Sequence, residues 1–233
     1  MGDTRIVLVT GSRRGIGAGL VTHFLDRGDT VIGCSRGAVE PTHDRHQHFA
    51  VDVTDESAVQ HMFWKIRETH GRVDVLVNCA GVASMNHSLL TPVSAVRDLL
   101  DTNVTGTFLM CREAARLMRS SHAGRIVNLS TVAVPLRLEG EAIYAASKAA
   151  VEMLTRVLAK EFAQFGITVN AVGPSPIRTD LIKGVPEETI TALVGRQAVR
   201  DWASVDDVAN VIDFFIRPES RFITGQVLYL GGF

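Results

Sequence analysis

The sequence predicts a single α/β domain in which a doubly wound parallel sheet carries helices on both faces. Three observations predict it. Apolar runs of strand length alternate with amphipathic stretches of helix length from one end of the chain to the other, the pattern of repeated strand–helix–strand units. The runs have apolar residues on both faces, as strands buried between two helix layers require. The 233 residues, 46% of them hydrophobic, suffice for one large core and are few for two, so residues 1–233 are expected to form one domain. A net charge of −1 gives no global attraction for nucleic acid or an anionic membrane. No stretch has the length of a membrane span or a signal-peptide core, and Met1-Gly2 lacks the hydroxyl at position 6 that a myristoylation signal needs. A cytoplasmic protein with no nucleic-acid or membrane partner is expected. Cys34, Cys79 and Cys111 are odd in number and widely spaced, which suits reduced core thiols better than disulfides.

Ile6-Val7-Leu8-Val9 reads as the first buried strand and ends at Thr10-Gly11. A helix begins near Gly15-Ile16, with Ile16, Leu20, Val21, Phe24 and Leu25 along one side and Gly28 as its stop. The loop between them, Gly11-Ser12-Arg13-Arg14-Gly15-Ile16-Gly17, lets backbone amides approach a ligand and points the positive end of the helix at it. A glycine loop placed after a strand and before a helix marks a Rossmann-type dinucleotide site.

Strand two, Thr30–Cys34, ends at Ser35-Arg36. An acidic residue there would hold the ribose hydroxyls of NAD, whereas Ser35 and Arg36, with Arg13 and Arg14 close by, suit a 2′-phosphate. NADP(H) is therefore expected. Residues 37–48 read as a polar loop, and His43, Asp44, His46 and His48 match no metal-ligand spacing, so no metal is expected. Strand three is placed at Phe49–Val53, with Asp52 and Val53 near an adenine edge. Thr54 is expected to cap a helix running to His70 and stopped by Gly71. Strand four, Val73–Val77, leads into Asn78-Cys79-Ala80-Gly81, small residues that let a cofactor lie against backbone. Thr91-Pro92 should open a helix that passes through Asn103 toward Arg119. Asn103 disfavours a helix interior, and either a local backbone bond or a functional role would explain it.

Strand five, Arg125–Leu129, ends at Ser130-Thr131, and Tyr144 opens a long helix that reaches Phe165 and is capped by Gly166. Tyr144 and Lys148 stand one turn apart on one face of it. A free phenol has a pKa near ~10, whereas a cation about 4 Å away at an effective dielectric of ~20 contributes about 4 kcal/mol, nearly three pKa units. Lysine at this spacing can therefore bring a phenol toward working pH as a general acid.

Together, Thr10-Gly11-x3-Gly15-Ile16-Gly17, Asn78-Cys79-Ala80-Gly81, Asn103, the hydroxyl at Thr131 and Tyr144-x3-Lys148 resemble the short-chain dehydrogenase/reductase family. The layout is most similar to its 3-oxoacyl-carrier-protein reductases and their secondary-metabolite relatives. The resemblance implies hydride transfer between a nicotinamide cofactor and a carbonyl or alcohol. Tyr144 would be the general acid, Lys148 its activator and ribose ligand, Thr131 the substrate-binding hydroxyl, and Asn103 the holder of a proton-relay water. Ile177 and Thr179 match the positions that hold the carboxamide and a phosphate, beside Pro174. A homotetramer or homodimer through the helices about 104–120 and 144–165 is implied as well.

Three departures from the family pattern stand out. Threonine replaces serine at 131, keeping the hydroxyl and stiffening χ1, while the adjacent Ser130 should point the other way. Pro174-Ser175 stands where the family shows Pro-Gly, which bears on the entrance of the nicotinamide pocket. His122 and Phe165 occupy places where carrier-protein-using relatives are basic, leaving Arg116, Arg119 and Arg178 as substitutes. Residues 179–202, with a short helical pattern at Glu187–Val194, are expected to form a lid, with Leu181, Ile182, Leu193 and Trp202 lining an apolar pocket. Ser204 with Asp207 makes a capping box for a helix Val205–Ile216, ended by Pro218, and Gln226–Leu230 is the last strand. The expected function is NADPH-dependent reduction of a carbonyl, a 3-oxoacyl thioester first among candidates. Oxidation of an alcohol, reduction of a small free ketone or quinone, and a catalytically silent cofactor-binding scaffold remain alternatives.

Overall fold

The computed structural model describes residues 4–41 and 43–232; Met1-Gly2 and Phe233 lie outside the described residues. Seven parallel strands form one sheet in the order β3-β2-β1-β4-β5-β6-β7. They are β1 (Ile6–Thr10), β2 (Thr30–Ser35), β3 (His46–Ala50), β4 (Val75–Asn78), β5 (Arg125–Leu129), β6 (Thr168–Gly173) and β7 (Val227–Tyr229). In β1, alternation sends Ile6 and Leu8 into one core with Ile66, Met110 and Ile126. Val7 and Val9 face the opposite core, with Phe24, Val208 and Phe215. The first core lies under α2 (Glu56–His70), α4 (Thr107–Met118) and α6 (Ala142–Phe162), the second under α1 (Gly15–Asp26) and α8 (Val205–Ile216). The chain turns back between β1 and β4, so a crevice opens at their carboxyl ends. No helix is long and apolar enough to cross a membrane among the described residues.

Several element boundaries differ from the sequence expectation, each for a local reason. β3 spans His46–Ala50, not Phe49–Val53, because Asp52 ends it: its carboxylate accepts the Thr54 N–H at 3.0 Å and the Thr54 hydroxyl at 2.9 Å, an Asx turn. With Thr54 engaged, Asp55 caps α2 by accepting the Ala58 N–H at 3.0 Å. His46 and His48 thus belong to an edge strand paired with β2 and not to a loop. β4 begins at Val75, two residues late, since the Asp74 carboxylate holds the Ile6 N–H at 2.7 Å. Pro92 takes the N-cap position of α3 (Val93–Leu100), while Thr91 donates its hydroxyl back to His87. The helical stretch expected through Asn103 runs on from α3 into α4, with a π-helical turn, Asp101–Gly106, between them that the sequence did not show.

Other expectations hold closely. Gly71 and Gly166 end their helices in the left-handed conformation, and Ser204 and Asp207 form the reciprocal capping box of α8. Residues 179–202 carry a 3₁₀ turn, Asp180–Ile182, and α7 (Glu187–Gly195).

Candidate active site

The glycine loop lies where β1 passes into α1. Gly11 has φ of +66°, and a side chain there would press on Ala80 at 2.9 Å, so glycine lets the ends of β1 and β4 close together. The Thr10 hydroxyl fixes that approach by accepting the Ala80 N–H at 2.9 Å. At Gly17 a Cβ would collide with the Gly11 carbonyl. The first turn of α1 has no side-chain cap and no acidic residue, and Gly15, Ile16 and Gly17 line a cleft of about 430 Å³. Free amides at the positive end of a twelve-residue helix fit a pyrophosphate.

Gly11, Arg13, Arg14, Ser35, Arg36, Asp52, Val53, Ala80, Gly81 and Thr179 join them along this cleft. Arg13 lies along Gly37, where a side chain would collide with its guanidinium. Arg14 stands 3.7 Å from Asp180 of the lid, both exposed. Ser35 donates its hydroxyl to the Gly37 carbonyl at 2.8 Å, so the His48 Nε2 at 3.0 Å is the donor to Ser35. Burial, then His46, pushes the His48 imidazole below its ordinary pKa. Three guanidinium groups around a serine turn suit a phosphate monoester on the ribose.

Two expected contacts lie elsewhere. The Ser12 hydroxyl is buried against Gly33, away from the cleft. Asn78 turns into the core, donating to Asn128 Oδ1 at 2.9 Å, and Asn128 donates to Thr155 at 2.9 Å. This buried amide ladder ties β4, β5 and α6 together beneath the site.

A second cavity, about 930 Å³, meets the cleft: Ile16, Cys79, Gly81, Val82, Thr179 and Leu181 line both. Its walls include Thr131, Tyr144, Lys148, Pro174, Ser175 and Ile177, beside Leu181, Ile182 and Leu193 of the segment 179–202. Trp202 does not line it; the Arg178 guanidinium stacks on its ring at 4.2 Å. Arg116 is engaged with Glu113 at 2.8 Å, so among the expected cationic substitutes these two have partners. Cys79 belongs to this junction, whereas Cys34 and Cys111 are core residues, and all three are free thiols.

The reactive group differs from the expectation in one respect. Burial pushes the Tyr144 phenol up, to about 12; a hydrogen bond with Thr131 lowers it and the Glu141 carboxyl raises it. Lys148 is not among these influences. Its ammonium donates to the Leu129 carbonyl at 2.8 Å, and burial lowers it to about 8. Burial thus opposes the ammonium-to-phenol pull read from their spacing and holds the phenol up. Thr131 accepts the Ala133 N–H at 3.2 Å, which leaves its own proton for the phenol or a ligand. Ser130 points away, as alternation requires, and donates to the buried Glu152 at 2.5 Å.

Asn103 is fully buried in the π turn, and its amide bonds Val82 and Ser147. A Cβ at Gly81 would lie 3.2 Å from Asn103 Oδ1 and 3.4 Å from Lys148 Nζ, a tight fit that glycine relieves. The Ser175 hydroxyl donates to Gln197 at 2.7 Å, tying the segment after α7 to the end of β6. His48, Glu141 and Gln197 were not readable as site residues. Glu141, three residues before Tyr144 in a partly apolar stretch, was the one with a signal in the sequence.

Comparison with known proteins places this geometry in context. The family model described as enoyl-(acyl carrier protein) reductase matches residues 11–232. The chain is 31% identical to the 3-oxoacyl-[acyl-carrier-protein] reductase FabG of Vibrio cholerae, over 99% of this chain and 97% of that one. It is 36% identical to carbonyl reductase family member 4 of Danio rerio, over 98% and 97% of the two chains. The solved structure of ElxO with NADP bound superposes with a TM-score of 0.90 at 29% identity, covering 98% of this chain and 97% of that one.

Proposed function

We propose, for a chain that belongs to the short-chain dehydrogenase/reductase family of oxidoreductases acting on CH–OH and C=O groups, an NADPH-dependent reduction of a carbonyl compound. The junction of the two hollows carries this reading, because Tyr144, Thr131 and Lys148 stand where a coenzyme seated on the glycine loop would meet a substrate. A bound NADPH supplies a hydride to the carbonyl carbon. Gly11 through Gly17 hold the pyrophosphate, apart from the inward-facing Ser12. Arg13, Arg14 and Arg36 take the 2′-phosphate around Ser35, and the NADP bound to ElxO supports that choice. Asp52 and Val53 border the adenine, and Ala80, Gly81, Pro174, Ile177 and Thr179 border the ribose and carboxamide. Thr131 donates to the substrate oxygen, and Tyr144 transfers its proton to that oxygen, leaving a phenolate. Lys148, fixed by Leu129, holds the ribose and stabilises that phenolate. Asn103 shapes the turn that holds a relay water.

The high pKa of the buried phenol keeps Tyr144 protonated at neutral pH, the state a reductase needs at the start of each turnover. The name of the Vibrio cholerae relative and a cavity of about 930 Å³ support a 3-oxoacyl thioester as substrate and the 3-hydroxyacyl thioester as product. Residues 179–202 act as the lid of this one domain, and the subunits assemble as a homotetramer or homodimer through α4 and α6. Oxidation of NADPH and NADH with 3-oxoacyl thioesters, cyclic ketones and quinones tests the reading. Faster NADPH oxidation with the thioesters is expected. Coenzyme binding with no carbonyl reduced would contradict it and favour a silent scaffold.

A further inference from the structure

Glu141 is 9% exposed and lines the large cavity one helical turn before Tyr144. Its Oε2 is buried and has no hydrogen-bond partner. The residue occupies the N-cap position of α6, yet its side chain makes no cap bond; its backbone carbonyl accepts the Ala145 N–H, and its own N–H goes to Leu138. The carboxylate is therefore not part of the helix-capping arrangement that would explain an acid here. The positive end of a 21-residue helix favours its charge but supplies no donor to Oε2. The other ionisable groups along this wall are Tyr144, Lys148, Cys79, Arg137, Glu139 and Arg196. None forms an ion pair with Glu141, and Lys148 is engaged with Leu129. Burial raises the Glu141 carboxyl above its ordinary range, and its charge is felt by the Tyr144 phenol. A buried carboxylate oxygen without a donor is unfavourable, and a ligand that brings a donor relieves it.

We propose that Glu141 is a specificity-determining residue of the cavity: it accepts a hydrogen bond from a hydroxyl on the carbonyl substrate and repels substrates that place a carboxylate there. The proposal rests on the reductase reading, with the reacting carbonyl at Tyr144, and adds that a hydroxyl in reach of Glu141 favours one carbonyl substrate over another. Charge and hydrogen bonding separate in two variants. Glutamine at 141 keeps an acceptor oxygen and loses the charge, while leucine loses both at similar volume.

The test compares octan-3-one, 1-hydroxyoctan-3-one and 3-oxooctanoate, which differ only at the first carbon, with NADPH at pH 8. A 3-oxoacyl thioester is the activity control, and NADPH binding by fluorescence is the folding control. In the unaltered protein kcat/KM for the hydroxyketone is expected to exceed that for the plain ketone by about tenfold or more, with 3-oxooctanoate lowest. Glu141→Gln should retain the hydroxyl preference and raise 3-oxooctanoate by about tenfold. Glu141→Leu should bring hydroxyketone and ketone within about twofold of each other. A merely structural role would move all three substrates together, and that result overturns the proposal while leaving the reductase reading intact. Failure to reduce any probe or the thioester control, with NADPH bound, overturns both.

Discussion

Asn103 grips Val82 by both of its backbone groups, accepting the N–H at 2.9 Å and donating to the carbonyl at 2.9 Å. The same amide nitrogen also donates to Ser147 of α6 at 2.9 Å. A side chain in a regular helix satisfies its own neighbourhood; this one is turned by the π-helical residues 101–106 toward two other segments of the site. The loop after β4, the α3–α4 junction and the helix of Tyr144 are thereby locked into one unit.

Asn103→Ala removes all three bonds and leaves the half-buried Val82 groups without these partners. Destabilisation of about 3 kcal/mol is expected, read by chemical denaturation, with activity falling as well. Asn103→Asp should fare little better, since a carboxylate cannot donate to the Val82 carbonyl or to Ser147. Wild-type stability in the alanine variant would remove Asn103 from this role.

Thr131 supplies a hydroxyl to Tyr144, and its methyl is incidental to that task. Thr131→Ser should therefore stay active. Thr131→Val, nearly the same shape, should lose about a hundredfold in kcat. Equal turnover in the two variants would mean the hydroxyl has no part in the reaction.

Arg36→Asp puts a carboxylate where the 2′-phosphate is expected. Like charges in contact cost several kcal/mol, so the NADPH-to-NADH preference in kcat/KM should move by about a hundredfold toward NADH. An unchanged ratio would show that the phosphate is held elsewhere.

Lys148 carries a pKa lowered by burial to about 8. Its ammonium is the form that can hold a ribose and stabilise a phenolate, so kcat should decline as pH rises through about 8 and recover on return. The stability effect has the opposite sign. The unfolded lysine binds its proton up to its ordinary pKa of 10.5, so between about 8 and 10.5 the unfolded state holds more protons and this group's contribution to folding rises with pH. Denaturation of Lys148→Met alongside the unaltered protein isolates that slope, which should vanish in the variant.

The strands and the glycine loop were readable because they rest on apolar periodicity and on glycine's freedom at Gly11, both local properties. That Thr131, Tyr144 and Lys148 line one cavity was readable because Tyr144 and Lys148 share one helix face and Thr131 follows a strong strand. What escaped was decided by distant partners. β3 carries two histidines and a glutamine, and only pairing with β2 makes His46–Ala50 a strand. The π turn at Asn103 depends on Val82, twenty-one residues away. Ser12 and Asn78 have the residue types of a cofactor contact, but the packing of Gly33 and Asn128 against them turns both side chains inward. The burial of Tyr144 and the Leu129 carbonyl that holds Lys148 cannot be seen in a four-residue interval.

Tyr144 as the proton donor is the point on which the chemistry turns, and Tyr144→Phe isolates it by removing one oxygen from a buried ring. The measurement is single-turnover reduction of a 3-oxoacyl thioester by the variant, with NADPH binding followed in parallel by fluorescence. Loss of about a thousandfold in rate with coenzyme affinity kept is the expected result. Reduction at the unaltered rate would contradict the account.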